Sequence, residues 1–268
     1  MHRFLVLRLD LNTQFQYYSC LLILFFKKMR RNFLLDDYIH VYNRGVRKMQ
    51  IVYDDDDKWR FLKILRYLNN NFSIPNLFRD IELLIKNDKR MRFEWSPAWE
   101  PQDPLVKIMA YHLSSNHYHL LLREIRKGGI SKFMKKFGNA FAGYINTKHG
   151  ETGRLFQGVY KAKTVEDQRG LGYVDTYIQT LNVFEQFEGG IKGAMDNFDE
   201  AFDFALKYPF CSIGESFGYR KLNIIDRDIL KNMFPNLNTY KEIVHEALII
   251  RQNRDFFENN NSNFNVEF

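Results

Sequence analysis

His117 and His119 stand two residues apart in the run KIMAYHLSSNHYHLLL, from Lys107 to Leu122. The run is apolar and rich in strand-forming residues. Strand side chains alternate between faces, so both imidazoles leave the same side. Two neutral imidazoles so placed can share a metal ion. Tyr118, Leu120 and Leu122 point the other way while Leu121 joins the histidine face, which predicts a strand with one buried side and one side that opens onto a site. A His-x-His pair is also what half-buried structural histidines produce, so its chemistry depends on what the rest of the chain brings to it.

The chain has 268 residues and a formal net charge of +7. That length holds one large domain, or a domain with an appendage, and is enough to bury a core. Two widely separated cysteines, Cys20 and Cys211, exclude a disulfide scaffold and suit a reducing cytoplasm. The positive charge is concentrated. Arg123 to Lys163 holds ten basic residues against two acids, Glu124 and Glu151, which is more than the excess of the whole chain. A basic stretch directly after the histidine pair predicts a polyanion beside the site, because Lys and Arg release counterions when they meet phosphates. Phe15 to Phe26 is apolar but shorter than the roughly twenty residues of a bilayer span, and Gln16 and Ser19 interrupt it. It also lacks the basic start and cleavage site of a secretory signal, so no membrane partner is expected.

Positioning the histidines requires a sheet and helices to back it. Tyr38 to Val46, YIHVYNRGV, alternates as a first strand closed by an Asn43-Arg44-Gly45 turn. The acids Asp54 to Asp57 then open a helix whose Phe61, Leu62, Ile64 and Leu65 recur at helical spacing. Residues 69–104, with four prolines, read as an insertion with one short helix near Leu77 to Ile85. Ser114 to Asn116 is a turn between two strands. After Gly128-Gly129, the residues Ile130, Phe133, Phe137, Phe141 and Ile145 mark a second amphipathic helix. Leu155 to Lys163 reads as another strand, and Asp167 to Phe187 as a helix bearing Tyr173 and Tyr177. The order β-α-insertion-β-β-α-β-α fits a ferredoxin-like α+β fold, an antiparallel sheet covered by helices. The expected organisation is an upstream extension over 1–28 with Met29 as the natural start, a catalytic domain over 29–190, a smaller helical region over 191–257, and a disordered Asn-rich tail over 258–268. Within the helical region, helices are expected from Ile225-Asp226 and over Tyr240 to Arg251.

Five fragments now stand in order: YIHVYNRGV, AYHLSSNHYHLLL, GISKFM, GRLFQGVYKA and YIQTLNV. Together they resemble the single-tyrosine HUH transposases of the IS200-like group, particularly the REP-associated tyrosine transposase branch. The resemblance covers about half the sequence, from Tyr38 to Val183. It implies cleavage and rejoining of single-stranded DNA next to a hairpin, through a 5′-phosphotyrosine and a free 3′-hydroxyl. It also implies that His117 and His119 bind a divalent metal, Mg²⁺ or Mn²⁺, and that Tyr177 is the nucleophile, with Tyr173 one turn earlier as its rival. Arg44, Lys132, Lys135, Lys136, Arg154, Lys161 and Lys163 are the candidates for DNA contacts, while His40 reads as structural. Trp95, Trp99 and Tyr160 could stack on bases, although packing within the insertion suits the tryptophans better.

One departure matters. Such transposases place a third metal ligand four residues after the tyrosine, on the same side of the helix. Here that residue is Leu181, and the amide Asn182 comes one position late. Asn182 can serve only if the helix unwinds or bulges locally; otherwise Gln179 or water completes the sphere, or the site is degraded. A degraded site would leave a DNA-binding regulator that keeps the fold. An RNA-binding module is disfavoured because its aromatic sheet motif is missing. Whether the site is assembled within one subunit or across a homodimer is open at this point.

Overall fold

β-branched and aromatic residues in alternation make Tyr38–Arg44 the first strand, β1. Helix α1, Asp55–Leu68, begins where the Asp54 carboxylate accepts from the Asp57 N–H at 2.9 Å, the cap that the acidic run announces. Helix α2, Leu77–Leu84, lies in the insertion. Strands β2, Val106–Leu113, and β3, His117–Glu124, flank the Ser114–Asn116 turn. Helix α3, Gly129–His149, follows, then β4, Lys161–Val165. The computed structural model describes residues 33–84 and 93–260.

The four strands pair antiparallel in the order β2-β3-β1-β4. With α1 and α3 as crossovers, this is the expected ferredoxin-like α+β arrangement. The pleat gives the sheet two different faces. Ile39, Val41, Tyr118, Leu120 and Leu122 lie in one core with Phe61 of α1 and Phe133, Phe137 and Phe141 of α3. Leu121 and Ala110 face a second core on the opposite side. A one-residue bulge between Ile108 and Ala110 resets β2, so that beyond it His112 stands opposite His119.

That second core is built by α4, Gln168–Thr176, a π-turn over Tyr177–Leu181, and α5, Asn182–Phe184, which form one continuous rod. Helices α6, Gly190–Asp196, α7, Phe198–Lys207, α8, Ile213–Ser216, α9, Leu230–Met233, and α10, Leu237–Asn260, pack around it. Ala201, Phe202, Tyr240 and Val244 of these helices share the core with Leu121, Leu171 and Ile178. The outer edge of β2 is covered as well: the Leu113 N–H donates to the Phe210 carbonyl and the Ser212 N–H to the Tyr111 carbonyl, both at 3.0 Å. Among the described residues no helix is long and apolar enough to cross a membrane.

Several sequence expectations need correction. Strand β4 starts at Lys161 rather than Leu155; upstream of it the chain only touches β1, through a single Gly45–Phe156 bridge and a Gln157 N–H donated to the Arg44 carbonyl at 2.9 Å. Ile225-Asp226 does not open a helix: the backbone turns left-handed at Asp228, φ 45°, and Asp226 donates its N–H to the Ile108 carbonyl at 2.8 Å; the nearby helix is α9. Helix α10 runs to Asn260, three residues into the segment expected as a tail. The expected extension over 1–28, and residues 261–268, lie outside the described residues. Trp95 and Trp99 pack on each other at 5.1 Å between ring centres and on Tyr67, as insertion packing requires.

Candidate active site

In an antiparallel pair, residues directly opposite one another project from the same face. His119 is opposite Tyr42 on one side and His112 on the other, and His117 is opposite Arg44. Across β1, Tyr42 faces Lys161 and His40 faces Lys163. The histidine face therefore carries four imidazoles, a phenol and three cationic side chains.

The rings are fixed from behind. His117 Nδ1 donates to Asn116 Oδ1 at 2.7 Å. His119 Nδ1 lies 2.9 Å from His40 Nε2, with the two rings stacked 5.1 Å apart. In both residues Nδ1 is engaged and Nε2 is left to face a ligand, the usual division of labour in a metal-binding imidazole. His40, which the sequence reads as structural, is thus in direct contact with the candidate ligand. Burial, reinforced by the neighbouring His40, His117 and His112, holds His119 well below its ordinary range. Burial also lowers His117, and with Lys163 it lowers His40 to about 3. All three are neutral in neutral solution, the form that donates a lone pair.

The rod brings a phenol to these rings. Asp167 caps it by accepting from the Gly170 N–H at 2.7 Å, and Leu171, Val174 and Ile178 face the core, which leaves Tyr173 and Tyr177 half-buried on the other side. The Tyr177 ring meets His119 edge-on at 5.5 Å and His40 at 6.1 Å; Tyr173 stacks on Tyr177 at 6.4 Å, one turn farther out.

The rod is not a regular α-helix. The Asn182 N–H reaches back five residues to the Tyr177 carbonyl, closing a π-turn. In an α-helix the residue above Tyr177 would be Leu181. One extra residue in the turn puts Asn182 there and sends Leu181 into the core. Asn182 is buried, and its amide nitrogen has no hydrogen-bond partner among the described residues. The two ends of an amide exchange by a flip, so this is an amide with one end the protein leaves unmatched. Two imidazoles with free Nε2 atoms and an amide with a spare end suit a divalent cation that also takes oxygen ligands. Gln179, the alternative third ligand, is consumed elsewhere: its Oε1 accepts from Ser212 and Ser216 at 2.9 and 2.6 Å, and its Nε2 donates to Asp175 at 2.6 Å.

The basic residues divide between the two layers. Arg44 is exposed at the end of β1, Lys161 lies over the Tyr42 ring at 5.9 Å, and Lys163 adjoins His40. Arg154 is exposed on the loop before β4. Lys132, Lys135 and Lys136 sit on α3, in the layer behind the sheet. There Lys132 donates to Asn71, and Lys136 donates to the Asn70 and Phe72 carbonyls at 2.6 and 3.0 Å, so these two hold the insertion in place.

Residues 101–180 match the family model described as Transposase IS200 like. Over that segment the chain is similar to the IS200-like transposases. The matched segment runs from the end of the insertion through β2, β3, α3, β4 and α4 into the π-turn, so it includes both histidines and Tyr177. A solved structure of a REP-associated tyrosine transposase bound to a REP hairpin aligns with 73% of this chain and 88% of its own, at 12% identity and a TM-score of 0.41. No curated relative matches the sequence.

Proposed function

We propose that this chain is an IS200-like transposase, a metal-dependent HUH endonuclease that cleaves and rejoins single-stranded DNA beside a hairpin, with Tyr177 as its nucleophile. The observation that carries the reading is the Tyr177 ring held edge-on to His119 at 5.5 Å, on a π-turn that sets Asn182 one turn above it. A divalent cation, Mg²⁺ or Mn²⁺, held by His117, His119 and Asn182 would polarise the scissile phosphate and offset the charge that builds on it. A phenol ionises near pH 10, at a reference pKa of about 10, so it becomes a competent nucleophile at neutral pH only where a nearby positive charge or base favours its anion. The Tyr177 oxygen bonds to phosphorus as the bond to the 3′-oxygen breaks. The phenol proton is lost, the 3′-oxygen gains one, and a 5′-phosphotyrosine remains. That ester keeps the energy of the phosphodiester, so the reverse attack rejoins DNA without ATP. Arg44, Lys161 and Lys163 lie where they would hold the backbone of the strand at the site. Contacts from Lys132, Lys135 and Lys136 would be to DNA extending around the other layer.

The non-catalytic reading rested on Leu181 in the ligand position. On the proposed placement of Asn182 in that position, the feature that favoured it no longer does so.

The test uses the full chain, Mn²⁺ and a single-stranded hairpin oligonucleotide from its own locus, with denaturing gels to reveal a covalent adduct. The wild type and Tyr173→Phe are expected to form the adduct and Tyr177→Phe to form none. An adduct that persists in Tyr177→Phe would remove the assignment.

A further inference from the structure

A π-turn is less favourable than the α-helix it interrupts and survives only where neighbours compensate it. Here the compensation comes from beyond residue 200. Ser212, just before α8, and Ser216 at its end both donate to the buried Gln179 Oε1, and Gln179 passes a hydrogen bond back to Asp175. On the other side of the turn, Arg251 of α10 donates to the Leu181 carbonyl at 3.4 Å, pairs with Glu185, and lies over the Tyr177 ring at 5.8 Å. Gln179 is the middle residue of the five-residue turn, and none of these contacts touches the histidine face.

We infer that Gln179, with Ser212, Ser216 and Arg251, is a positioning device that holds the π-turn open, so that Asn182 rather than Leu181 stands above Tyr177. This rests on the proposed reading of Asn182 as a ligand. It makes the helices after residue 190 part of the active-site machinery. If these bonds are lost, the turn relaxes toward an α-helix, Leu181 rotates into the ligand position, and the cation loses its third partner.

The test exploits the fact that a π-turn is an α-helix with one residue added. Gln179→Met keeps the length and removes the bonds, whereas deletion of Gln179 removes the bonds and the extra residue together, which leaves Asn182 four places after Tyr177 in a regular helix. Mn²⁺ affinity of the purified, folded proteins is read by calorimetry. Gln179→Met is expected to bind roughly 10–100-fold more weakly than wild type, the range seen when outer-shell partners of a ligand are lost. The deletion is expected to bind within a few-fold of wild type. A merely structural role predicts the opposite order, since a deletion is the harsher change to a buried helix. Ser212→Ala with Ser216→Ala is expected to weaken binding in the same direction, and it carries the test should either Gln179 variant fail to fold. Gln179→Met, or the serine pair in its place, binding as tightly as wild type would overturn the lock. A wild type that binds no Mn²⁺ would instead overturn the site reading on which it rests.

Discussion

Asp54, Asp57 and His149 gather three ligand-type side chains with donor atoms within 4.8 Å of one another, where α1 begins and α3 ends. His117, His119 and Asn182 are a less obvious set, spread over a strand and a helix. In the first set most of the acceptor capacity is already engaged. Lys148 Nζ lies 2.8 Å from carboxylate oxygens of both aspartates, the Asp54 side chain caps the Asp57 N–H, and Asp57 Oδ2 takes the Tyr53 N–H at 2.8 Å and His149 at 2.9 Å. An ammonium already fills the place of a cation. In the second set the Nδ1 atoms are engaged, the Nε2 atoms make no hydrogen bond among the described residues, and one end of the amide is unmatched. Ligand types and proximity are therefore a poor guide by themselves; what counts is whether the protein has already used the lone pairs.

The largest effect that separates the two sets is expected in metal affinity. His117→Ala with His119→Ala should reduce Mn²⁺ binding by more than about 100-fold, while Asp54→Asn with His149→Ala should leave it unchanged. Calorimetry on both proteins checks the contrast, and equal losses would erase it. Next comes Lys148→Met. Removing the ammonium leaves the solvent-inaccessible Asp57 carboxylate short of a partner, at a cost of about 1–3 kcal/mol by urea unfolding. Millimolar Mn²⁺ should then restore part of that loss in the variant and do nothing of the kind at the same cluster in wild type.

A further effect is in pH dependence, read as a slope rather than as a single loss. Burial, joined by Lys163 for His40 and by His117 for His112, lowers both histidines from an ordinary 6.5 to about 3. Between those values the unfolded chain takes up protons that the folded chain refuses. Stability should thus fall as pH drops from about 6.5 toward 3 and flatten below it. Each histidine adds at most about 1.4 kcal/mol per pH unit to that slope. His40→Gln and His112→Gln should each reduce it in urea titrations between pH 4 and 7. The Asp54–Asp57 cluster contributes in a different window. Burial raises Asp57, but hydrogen bonds from Lys148, Tyr53 and His149 outweigh it and hold the carboxyl below its usual range, so this part of the stability is lost only in stronger acid.

The strand carrying the histidine pair, its two faces, the following turn and the helices around it could be read in advance because periods of two and 3.6 residues report which side is buried. What a side is buried against is not periodic, which is why the second core was not foreseen and, of its five later helices, only the one over Tyr240 to Arg251 was placed. The π-turn was legible as a need, since Asn182 came one residue late, but nothing in YIQTLNV distinguishes a helix that absorbs an extra residue from one that has lost a ligand. Gln179 looked like a spare ligand for the same reason, its partners Ser212 and Ser216 being more than thirty residues away. The basic stretch divides in a way the sequence does not display. Lys132 and Lys136 fall close to the histidines in sequence, but the crossover helix carries them behind the sheet. Glu124 shows the reverse case, a lone acid in a basic stretch that is buried and accepts the Gly129 and Ile130 N–H groups at 3.1 and 2.8 Å, fixing where α3 begins.

The covering of β2 by residues 210–212 has a consequence for assembly. With that border already saturated, a second copy could lengthen the sheet only alongside β4, a five-residue strand carrying Lys161 and Lys163. Two such strands meeting side by side would bring lysines against lysines, and like charges in neighbouring strands repel. Among the described residues the sheet is in this sense self-limiting at four strands: one margin is taken and the other is electrostatically unsuited to its own image.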